Sequence, residues 1–310
     1  MTQLFDAGLT LYRKTLKRVY PIHAAIHALM SWVVIPALEA LHRFRTMPDD
    51  PLWFRVELLT NRHEAETLAQ LERLIEPGMT VLDIGSHVGY YARRFAQLVG
   101  AQGRVLAFEP HPRNFALLES NTARFPAVQP LQFAVGESEG RAQLYDYLIM
   151  SASGSLNYDP NLLDLQKAHV RQSDIAPRIA RDFPVESFSV DVVPLDRYLG
   201  EHGIDQVQVI KMDIEGAEIG ALRGLRRTID QSPAVTLIME FNPGALVAFN
   251  HDPLEALQEV IDIMSGGAVA IIEPNGALEA LAVPSDAASQ LTTRLLSDMG
   301  VVNLLIRKGI

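Results

Sequence analysis

Cysteine is absent from the 310-residue chain. That excludes disulfides, a thiol nucleophile and any cysteine-built metal site, and it suits a reducing cytoplasm. A basic cluster is also lacking from the central part of the chain, and the overall balance is acidic. Lys and Arg number 27 against 37 Asp and Glu, a net charge of −10. Nucleic-acid binding rests on cations that meet phosphates, so no nucleic-acid partner is expected. Internal repeats and low-complexity tracts are missing too. One stretch lacks charge altogether: residues 20–38 hold no Asp, Glu, Lys or Arg. The dinucleotide fingerprint G-x-G-x-x-G, which cradles a pyrophosphate, is not found where the chain otherwise invites it.

What stands in that place is Val81-Leu-Asp-Ile-Gly-Ser-His-Val-Gly-Tyr90. A short apolar strand runs into a turn holding Gly85 and Gly89, and a helix follows. At the end of a parallel strand the backbone must turn sharply and let a ligand approach, which glycine permits at least cost. A second strand, Val105-Leu-Ala-Phe, ends in Glu109, 20 residues past Gly89. An acid at that spacing can accept hydrogen bonds from a ribose diol. Asp83 occupies the position of the first fingerprint glycine, where a carboxylate would repel phosphate. It suits a ligand with a cationic end, such as the amino group of S-adenosylmethionine. The competing enzyme reading is an NAD-dependent oxidoreductase of Rossmann type, against which Asp83 speaks.

Strands and helices then alternate, the signature of a parallel sheet with helices on both faces. The pattern predicts strands at 80–84, 105–109, 130–135, 207–213, 235–241, 268–273 and 301–307. Helices are predicted near 90–99, 112–124, 216–231, 253–265 and 285–299. The fold class is therefore α/β, a seven-stranded Rossmann-like sheet with a helical N-terminal extension. Domains are placed at 1–60 and 61–310. An insertion at about 140–200 breaks the alternation; 141–147 and 186–193 read as a β-ribbon, and a polar stretch at 160–181 reads as helix. An insertion at the carboxyl edge of such a sheet is a candidate substrate lid.

The second informative motif is Lys211-Met-Asp-Ile-Glu-Gly-Ala-Glu218. It places Asp213 at the carboxyl end of the fourth strand, beside the point where strand order reverses. An acid there can hold the donor's amino group, orient an acceptor hydroxyl or ligate a metal. Glu215 is either an acceptor contact or a charge at a helix N-terminus. Glu240 and Asn242 close the fifth strand and face the same crevice. Asp213, Glu240 and Asn242 together form an all-oxygen set suited to Mg²⁺. Catalysis is assigned to Asp213 first and Glu240 second, acceptor binding to Ser155, Glu215 and Asn242. The donor is assigned to Asp83, Gly85, Ser86, His87, Gly89, Tyr90, Glu109, Pro110, Asn114, Phe133, Ala134, Val135 and Asp213. His111 is read either as a contact to adenine or ribose or as a solvated helix start. His23, His27 and His42 are read as packed or exposed, and His63 lies near the cofactor edge.

Asp83-Ile-Gly-Ser-His-Val-Gly-Tyr-Tyr91, Ala107-Phe-Glu-Pro-His-Pro112, Gly154-Ser-Leu156, Pro194-Leu-Asp196 and Lys211-Met-Asp-Ile-Glu-Gly-Ala-Glu218 resemble the FkbM family of S-adenosylmethionine-dependent methyltransferases. The resemblance covers about residues 62–245. It implies O-methylation of a hydroxyl on a polyketide, sugar or glycolipid, with the loop, Glu109 and Asp213 binding donor or catalysing. The chain departs from the family in having Ser86-His87 where Ala-Asn is usual.

Residues 1–60 fall outside the resemblance. Leu9, Tyr12, Leu16 and Val19 lie at helical spacing, with Arg13, Lys14, Lys17 and Arg18 on other faces. Ile22, Ile26, Leu29, Val33 and Ala37 form one stripe. Three readings follow: a membrane span, an interfacial helix with its basic side on anionic lipid, or packing onto the catalytic domain or a second subunit. Packing is the expectation, since one stripe suits burial on one side, and it allows a homo-oligomer. The protein is expected in the cytoplasm or at the membrane periphery through residues 1–45. Its partner is a small-molecule or glycan acceptor, or, in the non-enzymatic alternative, a membrane for which it is a docking scaffold.

Overall fold

The computed structural model describes residues 20–147, 150–158 and 185–309. The basic stretch at 13–18 and the 160–181 segment lie outside the described residues. Two compact units are formed, Met1–Thr46 with Asp50–His63, and Met47–Asp49 with Glu64–Ile310.

The first unit contains α1 (Tyr20–Leu29), a π-turn (Met30–Val34), α2 (Ile35–His42) and α3 (Leu52–Leu59). Helix α2 stops where Arg43 takes a left-handed φ of 46°. Glu39 near its end accepts bonds from the Thr46 N–H (3.0 Å), the Thr46 hydroxyl (2.6 Å) and Arg55 (3.1 Å). Of the stripe residues, Leu29, Val33 and Ala37 are exposed and Ile26 is half-buried.

The second unit runs α4 (Ala65–Leu74), β1 (Thr80–Ile84), α5 (Tyr90–Val99), β2 (Arg104–Phe108), α6 (Pro112–Thr122), β3 (Val128–Leu131), β4 (Ala134–Val135), β5 (Gly140–Asp146), β6 (Glu186–Val193) and α7 (Leu195–Glu201). It continues with β7 (Val209–Met212), α8 (Glu218–Arg223), α9 (Arg226–Gln231), β8 (Val235–Phe241), α10 (Pro243–Ala248), α11 (Pro253–Ile263), β9 (Ala268–Ile272), β10 (Leu278–Ala280), α12 (Asp286–Asp298) and β11 (Val302–Lys308). Eight strands form one sheet in the order β10-β9-β11-β8-β7-β1-β2-β3. Strands β3, β2, β1, β7 and β8 are parallel, and β11 enters antiparallel between β8 and β9. Order reverses between β1 and β7, so the ligand crevice of such a sheet opens at their carboxyl ends. Leu82, Ile84, Leu106, Phe108, Ile210, Met212, Leu237 and Met239 fill the core beneath one face, the alternation of strands sending their neighbours to the other.

Three expectations need correction. The strand expected at 130–135 is two: β3 ends at Leu131, and Ala134–Val135 crosses to a second sheet of order β4-β6-β5. Pro130 lacks an N–H and is tolerated because β3 is the edge of the large sheet. The helix expected at 216–231 is also two, broken at Gly224, where a Cβ would stand 2.1 Å from the Gly136 carbonyl oxygen. The large sheet has an eighth strand, β10, whose three residues are all exposed and carry no buried pattern. The predicted ribbon is present, β5 and β6 pairing antiparallel from Gly140↔Val192 to Asp146↔Glu186.

Candidate active site

Register alone assembles most of the site. Asp83 of β1 lies opposite Lys211 of β7, Lys211 opposite Ile238 of β8, and Glu240 opposite Asn303 of β11. Side chains alternate along strands, so Asp83, Lys211, Asp213, Glu240 and Asn303 share one face of the sheet near its carboxyl edge. Glu64, just ahead of α4, and Tyr91 of α5 complete the cluster. The Tyr91 hydroxyl donates to Glu64 Oε2 (2.6 Å), and the Asn303 amide donates to Glu64 Oε1 (3.1 Å). Lys211 Nζ lies 3.2 Å from Asp213 Oδ2 and 5.2 Å from the centre of the Tyr91 ring. Carboxylate oxygens of Glu64, Asp213 and Glu240 lie within 4.8 Å of one another, an all-oxygen set able to hold a hard cation.

This crowding sets the electrostatics. Burial pushes Asp83 up to about 6, against the pull of Lys211. Burial, then Asp213 and Glu215, push Glu240 well above the usual carboxylate range. Burial with Asp213 and Glu218 beside it lifts Glu215 to about 8. Burial works to discharge Lys211, but Asp213, Glu64, Asp83 and Glu240 outweigh it and raise its pKa. The lysine is the fixed cation of an acidic crevice.

The first loop is held tightly against its neighbours. Gly85 has φ 86°, and a Cβ there would stand 1.9 Å from the Asp213 carbonyl oxygen, so no other residue fits. The N–H groups of Gly85 and Ser86 both donate to the Phe108 carbonyl (3.0 and 2.9 Å). The Ser86 hydroxyl donates to the Asp83 carbonyl (2.6 Å). Gly89, also at φ 86°, starts α5, and Tyr90 is buried in that helix's first turn. His87 sits at φ 50°, its Nε2 2.5 Å from the Ser151 hydroxyl.

Glu109 pins this loop. Its two oxygens accept the N–H groups of His87 and His111, each at 2.8 Å, while burial lifts its pKa to about 7. Each oxygen keeps a further lone pair for a ligand hydroxyl. Pro110 lies half-buried beside it. His111 is neither solvated nor free to meet a nucleoside: Nδ1 accepts from the Arg113 and Asn114 N–H groups as the cap of α6, and Nε2 lies 3.0 Å from Asp146 Oδ2. Asn114 donates to the Ser151 carbonyl (2.9 Å), leaving its buried Oδ1 without a partner among the described residues.

Several expected residues also hold the fold together. Phe133 packs against Phe108 and Tyr198, both with ring centres 5.4 Å away, under the sheet. Ala134 and Val135 pair with β6 in the ribbon sheet. Asn242 Oδ1 accepts the Ala245 N–H (3.0 Å) as the cap of α10, and the carboxylate that joins Asp213 and Glu240 is Glu64. Ser155 is buried, accepting from the Asn157 N–H (3.2 Å) and donating to the Glu215 carbonyl (3.4 Å). Lys211, Glu64, Tyr91 and Asn303 were not singled out by sequence. A lysine inside an apolar strand was a readable signal; nothing local marked Glu64 or Asn303.

The donor's requirements fit this chain on two observations. Asp83 is 1% exposed, and its Oδ2 has no partner among the described residues. The buried Asn114 Oδ1 is likewise without a partner among the described residues. An unpartnered buried carboxylate calls for a cationic group.

The FkbM domain model of methyltransferases matches residues 83–268. The 2-O-methyltransferase NoeI of Sinorhizobium fredii is 28% identical over 53% of this chain and 64% of its own length, so the chain spans less than two thirds of that relative. The hexuronic acid methyltransferase AglP of Haloferax volcanii is 23% identical, with 65% of this chain and 71% of AglP covered. The 31-O-demethyl-FK506 methyltransferase FkbM of Streptomyces tacrolimicus is 26% identical, with 64% of this chain and 75% of its own covered. With the match beginning at the crevice carboxylate Asp83 and extending over more than half of the chain, the protein belongs to the FkbM family of methyltransferases.

Proposed function

We propose that this protein is an S-adenosylmethionine-dependent O-methyltransferase acting on a hydroxyl of a neutral, polyhydroxylated acceptor, a sugar or a hydroxylated polyketide. The observation that carries the reading is the row of acids at the reversal point of the sheet. Two of the three relatives have O-methyl transfer in their names, and AglP is named for a sugar acid. Asp83 would hold the donor's amino end, the turn at 85–89 would let it approach, and Glu109 would accept from its ribose. The bound donor supplies an electrophilic methyl group on a positively charged sulfur.

The residues of the chain do the rest by positioning and by moving one proton. Asp213 is held by the Lys211 ammonium at 3.2 Å, which fixes its carboxylate to orient an acceptor hydroxyl. Burial, then Asp213 and Glu215 beside it, raise the pKa of Glu240, which strengthens it as a proton acceptor. Glu240 therefore takes the hydroxyl proton and Asp213 aligns the oxygen, reversing the order that sequence suggested. The lysine of this crevice is already paired with Asp213 and is not offered to an anionic acceptor, which favours neutral sugars over uronic acids. Glu64, Asp213 and Glu240 could take Mg²⁺, but Lys211 meets the same electrostatic need, and transfer is proposed to run without a metal.

Calorimetry with S-adenosylmethionine and with NAD tests the donor: the first is expected to bind and the second not, and the reverse would overturn the reading. Glu240→Gln should lower kcat about 10²- to 10⁴-fold and remove the acidic limb of the pH–rate profile. Donor affinity should change little. A variant with an intact profile would take the base away from Glu240.

A further inference from the structure

Ala24–His42 is a 19-residue helical stretch of which only 6% is buried. Trp32 is 82% exposed, Leu41 73%, Val33 56% and Leu29 54%. With Ala24 and Ala28, also exposed, these side chains do not share a stripe; at 100° per residue they point all the way round the helix. A second copy of the chain, or any protein face, covers one side of a helix. Hydrocarbon covers every side, and a helix apolar all round is matched by it.

Length and charge agree. Residues 20–38 are helical and uncharged. Nineteen residues rise about 28 Å, against a hydrocarbon thickness of roughly 30 Å. Within 20–45 the sole acid is Glu39, and it is paired with Arg55 at 3.1 Å. In sequence, Arg13, Lys14, Lys17 and Arg18 precede the stretch and Arg43 and Arg45 follow it, in a chain whose net charge is −10. Cations concentrated at both ends of an apolar helix suit anionic headgroups at the two interfaces.

Pro36 would ordinarily speak against a span, because it lacks an N–H and frees carbonyls of the preceding turn. Here the turn before it is π-helical, Met30–Val34, and the Ile35 N–H reaches back to the Met30 carbonyl. Such a local π adjustment is how helices at membrane depth keep backbone groups satisfied around proline.

We propose that residues 20–42 span a lipid bilayer as an anchor. This stands apart from the methyl-transfer reading. The test is fractionation of the full chain expressed in cells, followed by washes of the membrane pellet with 1 M salt, with carbonate at pH 11 and with detergent. Release by detergent alone, with the intact mass of the chain, is the expected result. Release by salt or carbonate would overturn the span in favour of surface attachment. A soluble oligomer would overturn it in favour of a second copy, and a chain lacking its first residues would identify a cleaved leader. The double variant Trp32→Lys with Val33→Glu should move at least tenfold more protein to the soluble fraction while still binding S-adenosylmethionine. Equal partitioning of parent and variant would sink the proposal. Loss of donor binding in both would instead count against the donor assignment.

Discussion

A carboxylate as enclosed as Asp83 works against the folded state. Its pKa rises from an ordinary 3.8 to about 6 in the fold. A group raised in this way gives its full contribution to stability below its ordinary value and loses it as pH climbs through about 6. Asp83→Asn should therefore stabilise the ligand-free protein by up to about 3 kcal/mol at pH 8 and by little below pH 4. Urea melts of parent and variant at the two pH values measure the difference. The same substitution should weaken donor binding by tenfold or more, since a charge-assisted bond is lost. A variant that is no more stable at pH 8 would show that the charge is relieved by something else. At this scale the sequence was informative where a residue sat inside a motif: Asp83, Gly85, Asp213 and Glu240 were all named, and register brings the three acids to one face. Glu64 and Asn303 were invisible because the bond joining them crosses 239 positions.

Helices and strands were read well where one pattern governed and poorly where two elements met. The β1–α5–β2 unit and the ribbon followed from apolar runs, glycines and alternation. The 130–135 run reads as one strand, and Leu131 and Val135 within it are both apolar. The chain leaves the sheet between them, at a step that only tertiary pairing with β6 dictates. Likewise the break at Gly224 arises from a close approach to Gly136 and leaves no periodic trace. The start of α6 shows how a local rule was present but unusual, since histidine rather than serine or aspartate supplies the cap. His111→Ala should cost about 1–2 kcal/mol through lost capping, with Arg113 still holding Asp146 at 2.8 Å. Chemical denaturation with a preserved m-value would support this. A neutral outcome would mean that the ring is dispensable to the helix.

For the whole molecule, the acidic surplus speaks against a nucleic-acid partner, and alternation with motif order leads to the parallel sheet but not to the antiparallel entry of β11. The crevice concentrates that surplus: Glu64, Asp83, Asp213, Glu215 and Glu240 gather around Lys211. Exhaustive EDTA treatment is expected to leave methyl transfer unchanged, because the lysine and the donor's own charge balance the acids. A loss of activity restored by Mg²⁺ would reassign Glu64, Asp213 and Glu240 as metal ligands.

The position of β11 has a further consequence, in time rather than space. This strand wedges between β8 and β9, and its Asn303 bonds to Glu64 at the far end of the unit's sequence. Closing so long a loop is entropically costly and is deferred until cheaper local contacts exist. The α5 and α6 neighbourhood can form early, whereas the acid cluster cannot exist until β11 has inserted. In refolding, the far-ultraviolet helical signal and donor binding should recover before methyl transfer does. Methyl-transfer activity is thus a clock for the final step, and a chain caught midway would hold the nucleoside loop without the chemistry.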